Sequence, residues 1–228
     1  GRTYKGKMLK LIKKAAPDVI LIGGDLIVSK DPSKDKSAYK LLEDIQGIAP
    51  IYYAPGNHEK AAAALEIFKD RYTEFRTHLN EYDIKYLSNE SVLLKEGITL
   101  TGLDTDYEYY NKIHPKKLDK EAVESYVGNP DQKMYNIILA HSPAFFDACQ
   151  GAGFDLVLSG HYHGGAVRLP LIGGIVSPQF KLLPGYTRGL YIREKSDLIV
   201  SAGCGSHTVN LRIMNKPELV IIELDPER

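Results

Sequence analysis

Val19-Ile20-Leu21-Ile22-Gly23-Gly24-Asp25 is the stretch on which the fold turns. An unbroken apolar run of this length is the pattern of a strand buried on both faces, as in sheets covered by helices on either side. Gly23 and Gly24 break the run, and a carboxylate follows at once. Upstream, Met8, Leu9, Leu11 and Ile12 sit at helical spacing, which predicts a helix over 5–16 that stops before Pro17.

The same design recurs downstream. Residues 51–54 form a second short apolar run, closed by Pro55 and Gly56 and followed by Asn57-His58-Glu59. Residues 135–140 end directly on His141, and residues 156–158 lead into Gly160-His161-Tyr162-His163. Helical spacing fills 37–45, about 60–79 and 143–150, and further strands are predicted at 91–94, 98–103, 199–202 and 219–224. Residues 29–37, polar and proline-containing, read as a loop, 107–128 is a charged segment without an assigned element, and 164–190, rich in Gly and Pro, reads as loops with a hairpin. Strand–helix alternation followed by mostly strand predicts an α/β fold on mixed sheets. No linker separates two cores, so residues 1–228 are read as a single domain.

Composition narrows the function classes. The 228 residues carry 29 Lys+Arg against 29 Asp+Glu, a formal charge of zero, which leaves no electrostatic footprint for nucleic acid. Lys5, Lys7, Lys10, Lys13 and Lys14 form a local basic run, read as a solvated helix face. Cys149 and Cys204 have no CxxC spacing and make neither a disulfide framework nor a zinc finger. No apolar run approaches the ~18–20 residues of a bilayer span. Tyr107, Tyr109 and Tyr110 suggest an amphipathic rim beside a pocket, while Phe145 and Phe146 read as core.

Ligands in α/β sheets collect outside the carboxyl ends of strands. Four runs therefore deliver Asp25, Asn57, His58, His141, His161 and His163 to one edge. Taken singly, Asp25 serves equally well as a turn residue or helix cap, and His141 as a satisfied histidine near a helix start. Together they form a donor set for a divalent ion. Imidazoles suit Zn, Fe, Mn or Ni, and the carboxylate and amide oxygens shift preference toward Mn. Each imidazole then needs an acceptor behind it to fix its tautomer.

The ordered series GD…GNHE…AHSP…GHYHGG resembles the motifs of the calcineurin-like metallophosphoesterase superfamily. The resemblance implies two mixed β-sheets packed as a sandwich flanked by helices, in four layers. It implies a centre of two divalent metal ions (Mn, Fe, Zn or Ni), with Asp25 bridging, Asn57, His141 and His161 around the second ion and His163 on the first. It implies His58 as the catalytic histidine beside the leaving-group oxygen. The reaction implied is hydrolysis of a P–O bond by a hydroxide bridging the metals, in a phosphodiesterase or pyrophosphatase whose phosphate-ester substrate is lipid- or nucleotide-linked. Arg168, Arg188 and His207 are the candidate substrate contacts, with two solvated surface arginines as the plain alternative for the first two. A Cys204–His207 nucleophile pair lacks a third, orienting group.

The family's first motif, Asp-x-His, falls on a strand ahead of the first helix, and this sequence begins at that helix's threshold with Gly1-Arg2-Thr3-Tyr4. The expectation is that residues upstream carry it; without them a single ion is expected, and a metal- or phosphate-binding module becomes the alternative to an enzyme. A nuclease is the second alternative. The late segments 164–170 and 185–191 look like the bacterial branch often made with a membrane anchor or export signal. Membrane association is therefore expected through a missing N-terminal segment.

Overall fold

The computed structural model describes residues 2–28, 33, 35–111, 116–164, 168–169, 173–174, 185–205 and 216–225. Helix α1 (Arg2–Ala15) leads into β1 (Ile20–Ile22), and α2 (Asp35–Ile45) into β2 (Ile51–Tyr53). After α3 (Asn57–Ala64) and α4 (Lys69–Glu81) come β3 (Ile84–Tyr86), β4 (Glu90–Lys95) and β5 (Ile98–Leu103). Helix α5 (Lys120–Val127) precedes β6 (Tyr135–Ala140), and α6 (Phe146–Gly151) precedes β7 (Leu156–Ser159). A two-residue hairpin, β8 (Arg168–Leu169) with β9 (Gly173–Gly174), is followed by β10 (Gly189–Tyr191) and β11 (Asp197–Val200).

Strands β1-β2-β3 form a small sheet that is parallel throughout its described part. The larger sheet has the order β10-β11-β7-β6-β5-β4, parallel in its middle and antiparallel at both edges, so it is mixed. Side chains alternate faces along a strand, and that alternation sorts the core into three layers. Leu21 and Tyr52 of the small sheet meet Leu100, Ile137, Leu139, Leu156 and Leu158 of the large one, so the sheets pack face to face. Ile20, Ile22, Ile51 and Tyr53 point the other way, into Ile12 of α1, Leu42 of α2, and Phe75 and Leu79 of α4. Ile138, Ala140, Val157, Leu198 and Val200 turn outward onto Val123 of α5 and Phe146 and Cys149 of α6. Helix, sheet, sheet and helix give the expected four-layer α/β sandwich.

Several predicted elements change. Strand β1 is expected to be buried on both faces. It lies instead at the edge of the small sheet among the described residues, with all three residues half-buried. The predicted helix over 60–79 is two helices broken at Leu65, whose backbone is extended, and Leu65 and Ile67 are exposed. Its N-terminal half is tied to the loops at the sheet edge, while Phe75 and Leu79 tie its C-terminal half to the outer face of the small sheet. One straight rod cannot satisfy both.

The charged segment 107–128 hides α5, which Asp119 caps by accepting from the Ala122 amide and Gly128 ends at φ 75°. Only one buried side chain, Val123, marks its apolar face. Strand β3 escapes pattern reading because it is three residues long with a lysine in the middle. Residues 219–224 are apolar and predicted as strand, but they pair with no strand among the described residues, and Val220 to Ile222 stay partly exposed. A strand needs a hydrogen-bonding neighbour as well as a pattern.

Candidate metal centre

The carboxyl ends of β1, β2, β6 and β7 come together where the two sheets face one another. Asp25 follows β1, Asn57 and His58 open α3 just after β2, His141 follows β6 directly, and His161 follows β7. Two of these strands belong to each sheet, so the site spans the crevice between them. Ligand atoms of Asp25, His141 and His161 all lie within 4.8 Å of one another.

Two glycines make this closeness possible. A Cβ on Gly24 would sit 2.5 Å from the Gly56 nitrogen and 2.8 Å from His141 Nδ1. A Cβ on Gly56 would sit 2.8 Å from both the Asp25 nitrogen and His141 Cε1, and would collide with Asp25 Oδ1. The two turns therefore pack backbone to backbone with the His141 ring in the notch.

His141 is nearly fully buried and its orientation is determined at both nitrogens. Nδ1 lies 2.6 Å from the Gly23 carbonyl oxygen, and an oxygen there can only accept, so Nδ1 carries the proton. Nε2 then faces Asp25 Oδ2 at 3.0 Å. This is the tautomer a metal ligand requires, with the acceptor that ligating imidazoles ordinarily have behind them. Asp25 Oδ1 meanwhile accepts from the His58 amide at 2.9 Å, at the N-terminus of α3, where a helix favours negative charge.

Electrostatics tighten the arrangement. Burial would raise the Asp25 carboxyl, but His141, by charge and hydrogen bond, with His58 and His161 beyond it, holds it well below the usual carboxylate range. Burial would lower His141, and Asp25 overrides that, so the imidazole is raised. The paired atoms, His141 Nε2 and Asp25 Oδ2, are the ones a cation here would meet.

The residues present fit a divalent ion. Asn57 Oδ1 is buried and has no hydrogen-bond partner among the described residues, an expensive condition for an amide oxygen that a cation would relieve. The His161 ring lies 5.0 Å from that of His141, and Tyr110 packs edge-on against both, at 6.0 Å from His141 and 5.7 Å from His161. Tyr110 and Tyr109 are buried and Tyr107 is exposed, so the expected rim is in part a wall of the site.

His163 stands apart from the three clustered ligands, half-buried, with Nδ1 beside Gly203. Arg188 is engaged by Glu218 at 2.8 Å, and Glu218 also accepts from the Ala202 amide. Arg168 is placed in β8 by its backbone alone, and His207 lies outside the described residues. Cys204 is exposed with its thiol on the Glu218 carbonyl, and Phe145 and Phe146 are core as expected.

One residue of the site escaped the sequence reading. Glu59 is fully buried, and its carboxylate accepts from the amides of Asp25 (2.8 Å), Ile27 (3.1 Å) and Gly56 (2.9 Å). The signal available was its position three residues after Gly56, where a glutamate reaches back to a helix's capping residue.

The calcineurin-like phosphoesterase family model matches residues 4–165, and the chain belongs to that family. It is 30% identical over 227 residues to an uncharacterized metallophosphoesterase of Campylobacter jejuni, covering 97% of this chain and 54% of that protein. It is 32% identical to an uncharacterized metallophosphoesterase of Helicobacter pylori, covering 99% of this chain and 56% of that one. The chain thus spans about half the length of these two relatives. It is also 26% identical to the Escherichia coli phosphodiesterase YaeI, over 91% of this chain and 70% of that protein.

Proposed function

We propose that this chain, read as one domain over 1–228, is a metal-dependent phosphohydrolase that cleaves a P–O bond of a phosphodiester or pyrophosphate. The observation that carries the proposal is the buried convergence of Asp25, His141 and His161 donors within 4.8 Å of one another, beside the unpartnered Asn57 oxygen. The similarity to the Escherichia coli phosphodiesterase YaeI supports the same reaction class.

Asp25, Asn57, His141 and His161 hold the ion, and Asp25 with His163 lines the position of a second. Divalent ions so held, manganese being the first choice, neutralise phosphoryl charge and supply a nucleophile at neutral pH. The Gly23 carbonyl keeps the His141 proton on Nδ1, so Nε2 stays available. His58, in the first turn of α3 beside Asp25, protonates the departing oxygen, an assistance typically worth about 10²–10⁴-fold. Arg168 and His207 are the candidates for the remaining phosphate oxygens.

The test separates ligand from acid. His141→Ala should lose both bound manganese and hydrolysis of bis-(p-nitrophenyl) phosphate. His58→Ala should keep the metal and lose about 10²-fold or more in turnover. Metal lost from His58→Ala and kept in His141→Ala would reverse the assignment, and a loaded wild type that hydrolyses no phosphodiester or pyrophosphate would leave a binding module.

A further inference from the structure

We infer that Glu59 is a positioning residue that joins the two metal-bearing loops into one rigid unit, setting the affinity of the site before any ion arrives. The inference rests on the metal-site reading above. It starts from a cost. Glu59 is fully buried and has no ion pair with any cation among the described residues. An unpaired carboxylate in a protein interior is among the most expensive groups a fold can carry. What meets the charge here is a set of three donors, the backbone amides of Asp25, Ile27 and Gly56.

The ordinary reading is a helix cap. Glu59 is the third residue of α3, and its bond to the amide of Gly56, the capping residue, is half of a capping box. A cap accounts for one bond of the three. The other two reach 34 and 32 residues back, to the amides of Asp25 and Ile27 in the loop after β1. Oε2 alone accepts from both Asp25 and Gly56, so a single oxygen sits under the two turns whose glycines touch.

Asp25 closes the circuit by accepting from the His58 amide, one residue before Glu59. Asp25 holds φ at 57°, a left-handed conformation that an ordinary residue keeps only when its surroundings impose it. Carboxylate hydrogen bonds to backbone amides are the strong kind, and here they impose that conformation. Glu59 touches neither substrate nor ion; it acts through Asp25 and Asn57.

Glu59→Gln is the informative variant, because glutamine is itself a capping-box residue. It keeps the cap on Gly56 but has one acceptor oxygen where three amides need two. In the metal-free protein, amide exchange at Ile27, whose acceptor is the other oxygen, should accelerate at least tenfold, while Ile22 and Ile138 in the strands keep their protection. Manganese affinity should fall about 10–100-fold, the range for removing the groups that orient metal ligands. Phe75→Leu, a core change beneath the small sheet, serves as a control for lost stability and should leave both readouts near wild type.

If Glu59→Gln binds manganese as the wild type does, Glu59 is a cap and no more. The inference also fails if Phe75→Leu weakens the metal as much as Glu59→Gln does. A wild type that binds no manganese would overturn the metal-site reading and this inference together. Wild-type binding with an unaffected Glu59→Gln would overturn this inference alone.

Discussion

Asp25, His161 and His163 all hold positive φ, at 57°, 57° and 48°. Side chains other than glycine pay of order 1–3 kcal/mol for such conformations, which persist where neighbours over-determine them and which gather at functional sites. The complement is found at Gly24 and Gly56, where no side chain fits at all. Gly56→Ala would drive a methyl group into Asp25 and His141. It should cost about 1–3 kcal/mol of stability in urea titration and remove manganese binding in the same protein. The two cysteines give a contrasting prediction. Burial pushes the Cys149 thiol up to about 12, whereas Cys204 is exposed. A thiol reagent should therefore modify Cys204 alone in native protein and reach Cys149 only after denaturation.

At the level of elements, the strand ends are legible because each apolar run stops at a glycine, a proline or a polar residue: Gly23, Pro55, His141 and Ser159. The segments 19–22, 51–54, 135–140 and 156–158 are all strands within a residue or two. Where one face of an element carries the information, reading was harder. Helix α5 shows one buried residue, β3 has three residues in all, and the break at Leu65 follows from what the two flanking helices bind rather than from local propensity. Glu59 was in plain view and yielded no role, because its partners at Asp25 and Ile27 are distant in sequence.

One long-range tie between elements makes its own prediction. Arg71 of α4 forks onto the Asp35 carboxylate at the start of α2 and donates to the Val28 carbonyl at 2.8 Å, with both charged side chains largely buried. Removing one partner of such a pair leaves an uncompensated charge. Arg71→Ala should lower unfolding free energy by about 3–5 kcal/mol, measured by chemical denaturation. A loss below about 1 kcal/mol, the value of an exposed pair, would mean that water reaches Asp35.

Across the whole molecule, the site is the seam between two sheets. Asp25, Asn57 and His58 ride on the small sheet, and His141 and His161 on the large one, so an ion bound among them ties both halves of the sandwich together. Saturation to a hundred times the dissociation constant adds about 2.7 kcal/mol. The melting temperature should therefore rise with added manganese and return with a chelator. A melting temperature indifferent to both would place the ion elsewhere or nowhere.

The most direct measurement is metal content per chain by elemental analysis, after manganese loading and desalting, for wild type beside His141→Ala. The account predicts that the wild type retains stoichiometric manganese and that His141→Ala loses it. Manganese absent from the wild type, or retained equally by both proteins, would contradict the claim that Asp25, Asn57, His141 and His161 form a metal centre.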